Sequence, residues 1–221
     1  MSVYIDVWHR THPLTLAAHQ KFLDYYGSVV VAPPSDYFEV VGGFKYIDGD
    51  SNTDFALYRF ESMAKIEESM MSFGGGAEYL AATEAVFSEI EIEETRGIAI
   101  YTPYATEERM DAIIAERPSR TRRYVRIVRT VPGTIRPEAF GALGRLTEQI
   151  EKTSDARLVT SFSYLIGPVM DCVELWVLPE GQLELPRAPA GVDPLLLAEL
   201  SRIAPETERR GLEPTDFSKL R

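Results

Sequence analysis

The three histidines of this chain, His9, His12 and His19, all fall in its first nineteen residues, and Asp6 stands before them in an Asp-x2-His-x2-His spacing. Imidazole and carboxylate groups are competent transition-metal ligands. An imidazole also titrates near neutral pH, which suits it to proton transfer. The segment reads as a strand end running into a loop, and it lacks the fixed i, i+4 geometry that makes a helical histidine pair convergent. Three uses therefore stay open: a metal site, a catalytic acid or base at His9, and ordinary structural histidines. The reading adopted places no metal and no cofactor here.

Other reactive patterns are sparse. Cys172 is the single cysteine, so no intrachain disulfide forms, and it falls in a strand with no histidine in its half of the chain. A small buried side chain is the expectation there, ahead of a nucleophile. Gly74-Gly75-Gly76 follows a helix rather than a strand and has no Lys or Arg beside it, so it reads as a hinge and not a phosphate loop. No Gly-x-Ser-x-Gly occurs, which removes the nucleophile-elbow hydrolases.

The elements that must position these groups follow from periodicity. Val3 to His9 alternates as a strand, with Val3, Ile5 and Val7 on an aliphatic face and Tyr4, Asp6 and Trp8 on a mixed one. Pro13 opens a helix that fades near Gly27, and Pro33-Pro34 breaks the chain. A hairpin covers about 37–60, with a bulge or bend expected at Gly42-Gly43. Helices at about 62–71 and 77–89 lead to a strand at about 90–101. The order is β-α-β-β-α-β, the split, ferredoxin-like arrangement. The second half repeats it with strands at about 124–131, 157–166 and 172–178 and helices at about 137–151 and 194–209. A fourth strand is not evident there, and the tail after Gly211 is polar. Tyr4-Ile-Asp-Val-Trp matches Tyr124-Val-Arg-Ile-Val, and Ala56-Leu-Tyr-Arg-Phe60 matches Glu174-Leu-Trp-Val-Leu178. The domain boundaries expected are 1–104 for the first repeat, 105–120 for a helical linker, and 121–221 for the second repeat with its tail.

Composition bounds the function classes. The 221 residues are 45% hydrophobic and 26% charged, a globular mixture, with 23 basic against 34 acidic residues. The net −11 lies in residues 1–110, with 7 basic and 18 acidic residues; the remainder, with 16 of each, is neutral. A net-acidic chain is a poor match for a phosphate backbone, so no nucleic-acid partner is expected. The local exception is Arg117, Arg120, Arg122, Arg123, Arg126 and Arg129, read as a solvated linker entering a strand or as an anion or partner site. The N-terminus shows no signal-peptide pattern and no stretch approaches a membrane span, so a cytoplasmic protein without a membrane partner is expected.

The hairpin turn Ile47-Asp48-Gly49, the strand Phe55-Ala-Leu-Tyr-Arg-Phe60 and the helix start at Ser62 resemble the dimeric α/β barrel superfamily in its NIPSNAP-like branch. The second copy reads Ile166-Gly167-Pro168 and then Val173 to Leu178, and departs after Leu178, where Pro179-Glu-Gly replaces the helix start. The resemblance implies an α+β fold, two ferredoxin-like repeats closing an intramolecular barrel by their aromatic faces, as a monomer or homodimer. Some members are haem enzymes whose iron ligand is a histidine of the second half; residues 20–221 contain none.

The expected site is the non-aliphatic face of the central strands. Asp6, His9, Tyr58, Arg126 and Glu174 are the candidate catalytic residues, with Asp6 or Glu174 as a base and Arg126 holding an enolate or carboxylate. Tyr4, Trp8, Phe60, Tyr124 and Trp176 are the candidate substrate-binding walls. Asp6 or Glu174 paired with Arg126 as a structural ion pair is the competing reading. The function expected is a cofactor-independent enzyme, a cyclase, isomerase, lyase or cofactor-free monooxygenase, acting on an aromatic or polyketide-like intermediate. The alternative is a non-catalytic binding or protein-interaction module of NIPSNAP type. An enclosed cavity lined by Asp6, Tyr58, Arg126 and Glu174 favours the first, and a filled interior with an exposed apolar patch favours the second.

Overall fold

The computed structural model describes residues 2–31, 36–48, 52–72, 77–116 and 121–221. The Pro33-Pro34 breaker, most of the turn after Asp48, the Gly74-Gly75-Gly76 hinge, Arg117 and Arg120 lie outside the described residues. The chain divides into two compact units, one of Met1–Ile98 with Pro214–Leu220 and one of Ala99–Glu213 with Arg221. No helix among the described residues is long and apolar enough to cross a membrane.

In the first unit the order is β1 (Val3–His12), α1 (Leu16–Tyr25), β2 (Glu39–Tyr46), β3 (Thr53–Phe60), α2 (Met63–Ser72), α3 (Ala77–Phe87) and β4 (Glu91–Tyr101). The strands lie as β4-β1-β3-β2. Thr15 caps α1 by accepting the Ala18 N–H at 3.2 Å, and a π-helical turn, Tyr26–Val31, extends that helix. The expected irregularity at Gly42-Gly43 is a register shift of β2 against β3 between Val40 and Gly42. The core lies between one sheet face and the helices, built from Val3, Ile5, Val7, Tyr58 and Phe60 against Phe22, Leu23 and Ile66.

In the second unit α4 (Glu107–Ala115), β5 (Tyr124–Thr130), α5 (Arg136–Thr153), β6 (Arg157–Ile166), β7 (Asp171–Val177), α6 (Pro194–Ile203) and β8 (Glu206–Pro214) follow in turn. Their strands lie as β8-β5-β7-β6. Asp193 caps α6 through the Leu195 N–H at 2.9 Å, and Pro194 occupies its first turn. Two expectations need correction. The second helix stops at Ile203, and the missing fourth strand exists as β8. Pro205 is the reason, because it has no N–H to continue the helix and pushes Ala204 out of the helical region. Its carbonyl instead accepts the Thr130 N–H at 3.1 Å. β8 has no aliphatic run because Glu-Thr-Glu-Arg-Arg alternates ion pairs rather than apolar groups.

The sequence places the polar tail in the second repeat, but residues 214–220 group with the first unit. Thr215 N–H donates to the Gly43 carbonyl at 2.9 Å, and Gly43 N–H donates to the Ser218 hydroxyl at 3.2 Å. Phe217 packs on Tyr26, ring centroids 5.7 Å apart. A Cβ at Gly43 would fall 2.1 Å from a Phe217 ring carbon and 2.7 Å from Thr215 Oγ1, so only glycine admits this tail. Gly43→Ala is expected to destabilise the protein by about 2 kcal/mol through overpacking. Adding Phe217→Ala should restore part of that loss, a coupling readable in a thermal-denaturation double-mutant cycle. Strictly additive losses would show that the tail does not rest on Gly43.

Candidate functional site

The register of β1 on β3 decides which side chains meet. Ile5 lies opposite Tyr58, Val3 opposite Phe60 and His9 opposite Asp54. Residues directly opposed in an antiparallel pair share a face. Tyr58 and Phe60 therefore join His9 on the aliphatic side, and Tyr4, Asp6 and Trp8 lie on the other. The expectation that all of them share one face is corrected on this point.

On the helix side, His9 is nearly fully buried and wedged between the Phe22 and Tyr26 rings, each 4.9 Å away in edge geometry. Its Nδ1 is 2.8 Å from Asp54 Oδ1, and Asp54 is itself buried. The second oxygen, Oδ2, lies 3.0 Å from His19 Nε2 on α1. The far side of the His9 ring, Nε2, faces Glu94 Oε2 of β4 at 3.4 Å. Glu94 in turn takes the Arg96 Nε at 2.5 Å. Burial alone would push His9 towards neutrality, but Asp54 and Glu94 outweigh it and raise its pKa to about 9. Burial also opposes the Asp54 charge, yet His19 and His9 hold that carboxyl below its usual value. Glu94 is held at about 2 by His9 and Arg96 against its own desolvation. At neutral pH the site is an imidazolium between two carboxylates.

This cluster forms part of the wall of a pocket of about 510 Å³ inside the first unit. Phe22, Tyr26, Phe38, Tyr58, Phe60 and Tyr79 supply aromatic surface, and His9, Glu94 and Arg96 the charge. The Tyr25 and Thr83 hydroxyls are 2.8 Å apart, fixing two helices across it. Burial pushes the Tyr58 phenol far above its ordinary pKa, so it stays protonated. The pocket therefore combines aromatic walls with two cations, the His9 imidazolium and the Arg96 guanidinium. Of the expected histidine cluster, His9 and His19 converge on Asp54. His12 is half-buried, 4.0 Å from Glu93, and Asp6 is buried on the opposite face.

In the second unit β5 and β7 set Val125 opposite Trp176 and Ile127 opposite Glu174. Glu174 and Trp176 thus share a face with Arg129, while Tyr124 and Arg126 lie on the other. The expected Arg126–Glu174 pairing is replaced by two others. Arg129 Nε donates to Glu174 at 2.9 Å, and Arg126 donates to Glu208 at 3.0 Å. Arg123 pairs with Glu213 at 2.8 Å, and Arg122 pairs with Glu116. Every described arginine of the cluster thus has a carboxylate, which favours the structural reading of that stretch. Glu174 and Trp176 line a second pocket of about 180 Å³. Cys172 is buried and its thiol pushed up to about 11, which keeps it protonated and unreactive.

No protein-family model matches the chain, and no curated protein matches it. Solved structures do. An anthrone oxidase-like protein aligns over 97% of this chain and 91% of its own, with TM-score 0.63 and 14% identity. A candidate monooxygenase from Lactobacillus acidophilus NCFM aligns over 97% and 94%, with TM-score 0.57 and 9% identity. A second candidate monooxygenase, from Fusobacterium nucleatum, aligns over 96% and 91%, with TM-score 0.52 and 10% identity. A mutant chlorite dismutase of Candidatus Nitrospira defluvii aligns over 99% and 93%, with TM-score 0.52 and 10% identity. At these identities the likeness shows the fold alone.

Proposed function

We propose that the first unit is a cofactor-independent enzyme acting on an aromatic or polyketide-like small molecule through an enolate or phenolate stabilised by His9. One observation carries this reading: an imidazole raised to about 9 and aimed by Asp54 sits in the wall of an aromatic pocket of about 510 Å³. A charged donor in a water-poor site is worth most where negative charge develops. A substrate carbonyl oxygen takes the Nε2 proton bond and displaces Glu94 from it. Freed from that partner, the Glu94 carboxylate regains basicity and accepts the proton leaving the neighbouring carbon. The aromatic walls hold the ring system flat, and Asp54 keeps the imidazole from turning.

The resulting enolate is common to isomerisation, cyclisation and reaction with dioxygen. The names of the candidate monooxygenases and of the anthrone oxidase-like protein support the last of these. For an anthrone, one atom of dioxygen becomes the new carbonyl and the other leaves as water with the two hydrogens of the oxidised carbon. Haem does not fit the second-unit pocket. The second-unit pocket has no histidine in its lining and, at about 180 Å³, is smaller than a tetrapyrrole. We further read the two units as tandem ferredoxin-like copies, supported by their shared element order, strand order and register. The first pocket takes Tyr58 alone of the four residues expected to line it, so the enzyme reading rests on His9 and the aromatic walls there, and no comparison supports the NIPSNAP-like branch in particular.

With anthrone and dissolved oxygen, and no added metal or flavin, the protein is expected to consume oxygen in an oxygen-electrode assay. His9→Asn should lower kcat by about 10²- to 10⁴-fold with an unchanged fold by circular dichroism. Wild-type turnover in that variant would remove His9 from the chemistry.

The sign of the pH dependence follows from the shifted groups. The imidazolium is the active form, so kcat/KM should fall as pH rises through about 9. In the free enzyme the Glu94 carboxylate stays ionised down to about 2, so no acid limb from it appears in kcat/KM in the neutral range. A rate that instead rises through pH 9 would make neutral His9 the base.

A further inference from the structure

The second unit builds a pocket on the plan of the first, with one chemical change. On the first strand, the position directly opposite the third strand's Asp54 is His9, and the position opposite Cys172 is Arg129. On the third strand, Tyr58 lies opposite Ile5 and Trp176 opposite Val125. The last strand of each unit adds a Glu–Arg pair, Glu94 with Arg96 at 2.5 Å and Glu206 with Arg209 at 2.6 Å. His9, Tyr58, Glu94 and Arg96 line the first pocket, and Arg129, Trp176, Glu206 and Arg209 line the second. Where the first unit places a titratable imidazole, the second places a guanidinium that keeps its proton at any working pH.

That guanidinium is held in place before any ligand arrives. Arg129 Nε donates to Glu174, and Nη1 donates to the Ala204 carbonyl at 3.3 Å. Glu174 is fixed from behind by the Tyr104 hydroxyl at 3.2 Å, which also meets Ser161 at 2.8 Å. A fully buried ion pair is a weak source of stability. Among the described residues Arg129 Nη2 makes no hydrogen bond. Leu146, Leu197 and Leu200 give the pocket an apolar body, and Arg187 stands exposed at its rim. Arg129, Arg187 and Arg209 against Glu174 and Glu206 leave the lining one positive charge in excess. We propose that this pocket is a second, non-catalytic binding site for a small carboxylate with a compact apolar or aromatic body. The carboxylate meets the Arg129 guanidinium, and the body lies along Trp176 and the leucines. Its size, about 180 Å³, excludes the larger ring systems that the first pocket admits.

The test uses the full chain and benzoate as the probe, followed by the indole N–H signals of Trp8 and Trp176 in a ¹⁵N-labelled sample. Trp176→Phe assigns the signal. Benzoate is expected to move the Trp176 signal saturably and to leave that of Trp8 in place. Benzyl alcohol, of the same size without the charge, should bind at least about ten-fold more weakly. Arg129→Lys keeps Glu174 paired but loses the fork, and should weaken benzoate to a similar degree. His9→Asn should leave the Trp176 shift unchanged. No saturable movement of Trp176 overturns the site, and equal binding of benzyl alcohol overturns its preference for a carboxylate; both comparisons are read on the unsubstituted protein. Because the readout is binding in the second unit, it stands or falls apart from turnover at His9.

Discussion

A carboxylate with almost no contact with water stands at the centre of the first unit's chemistry. Asp54 is on β3, next to the middle of its sheet, where an unpaired charge would be untenable. It is tolerable only because two imidazoles occupy its two oxygens. That demand orders the surroundings. β1 must keep the register that puts His9 opposite Asp54, and α1 must start where Thr15 caps it so that His19 falls over the same carboxylate. The aromatic rings of Phe22 and Tyr26 then close the sides and exclude water. His9 has no freedom left to rotate, and its second nitrogen is delivered to the pocket as a consequence.

The same logic runs through the second unit with other groups. There the buried acid is Glu174, its cation is Arg129, and a tyrosine replaces the second histidine as the donor behind it. Desolvated ion pairs in both units are each completed by a further hydrogen-bonding partner, His19 in the first and Tyr104 in the second. The difference is what can be given up. An imidazolium can part with a proton within the reach of solution pH, and a guanidinium cannot. On the proposed reading one site is fitted for reaction and the other for recognition.

Much of the architecture is legible in the letters. Alternation marks Val3–His9 and Phe55–Phe60, Gly42-Gly43 marks an irregular strand, and the two halves share an order of elements. The phase between neighbouring strands is not legible. Alternation within β1 and within β3 says nothing about which parity of one meets which parity of the other. A slip of one residue moves Tyr58 and Phe60 to the wrong face, and the same slip pairs Glu174 with Arg126 rather than Arg129. Asp54 escapes a reading of the sequence because it stands 45 residues from His9, at a strand start that resembles an ordinary turn acid. Only the cross-strand register reveals it. β8 is hidden for a different reason, since its stability comes from pairing and charge rather than from an apolar face. Pro205 is the one local signal that the helix before it has to end.

The segment around Phe217 bears on how the protein is made. It closes over Gly43, which bonds a serine 175 positions further along the chain, yet the segment belongs to the unit whose strands are translated first. That unit therefore waits, incomplete along one edge, while the whole of its neighbour emerges. For these two units the order of synthesis and the order of completion run in opposite directions.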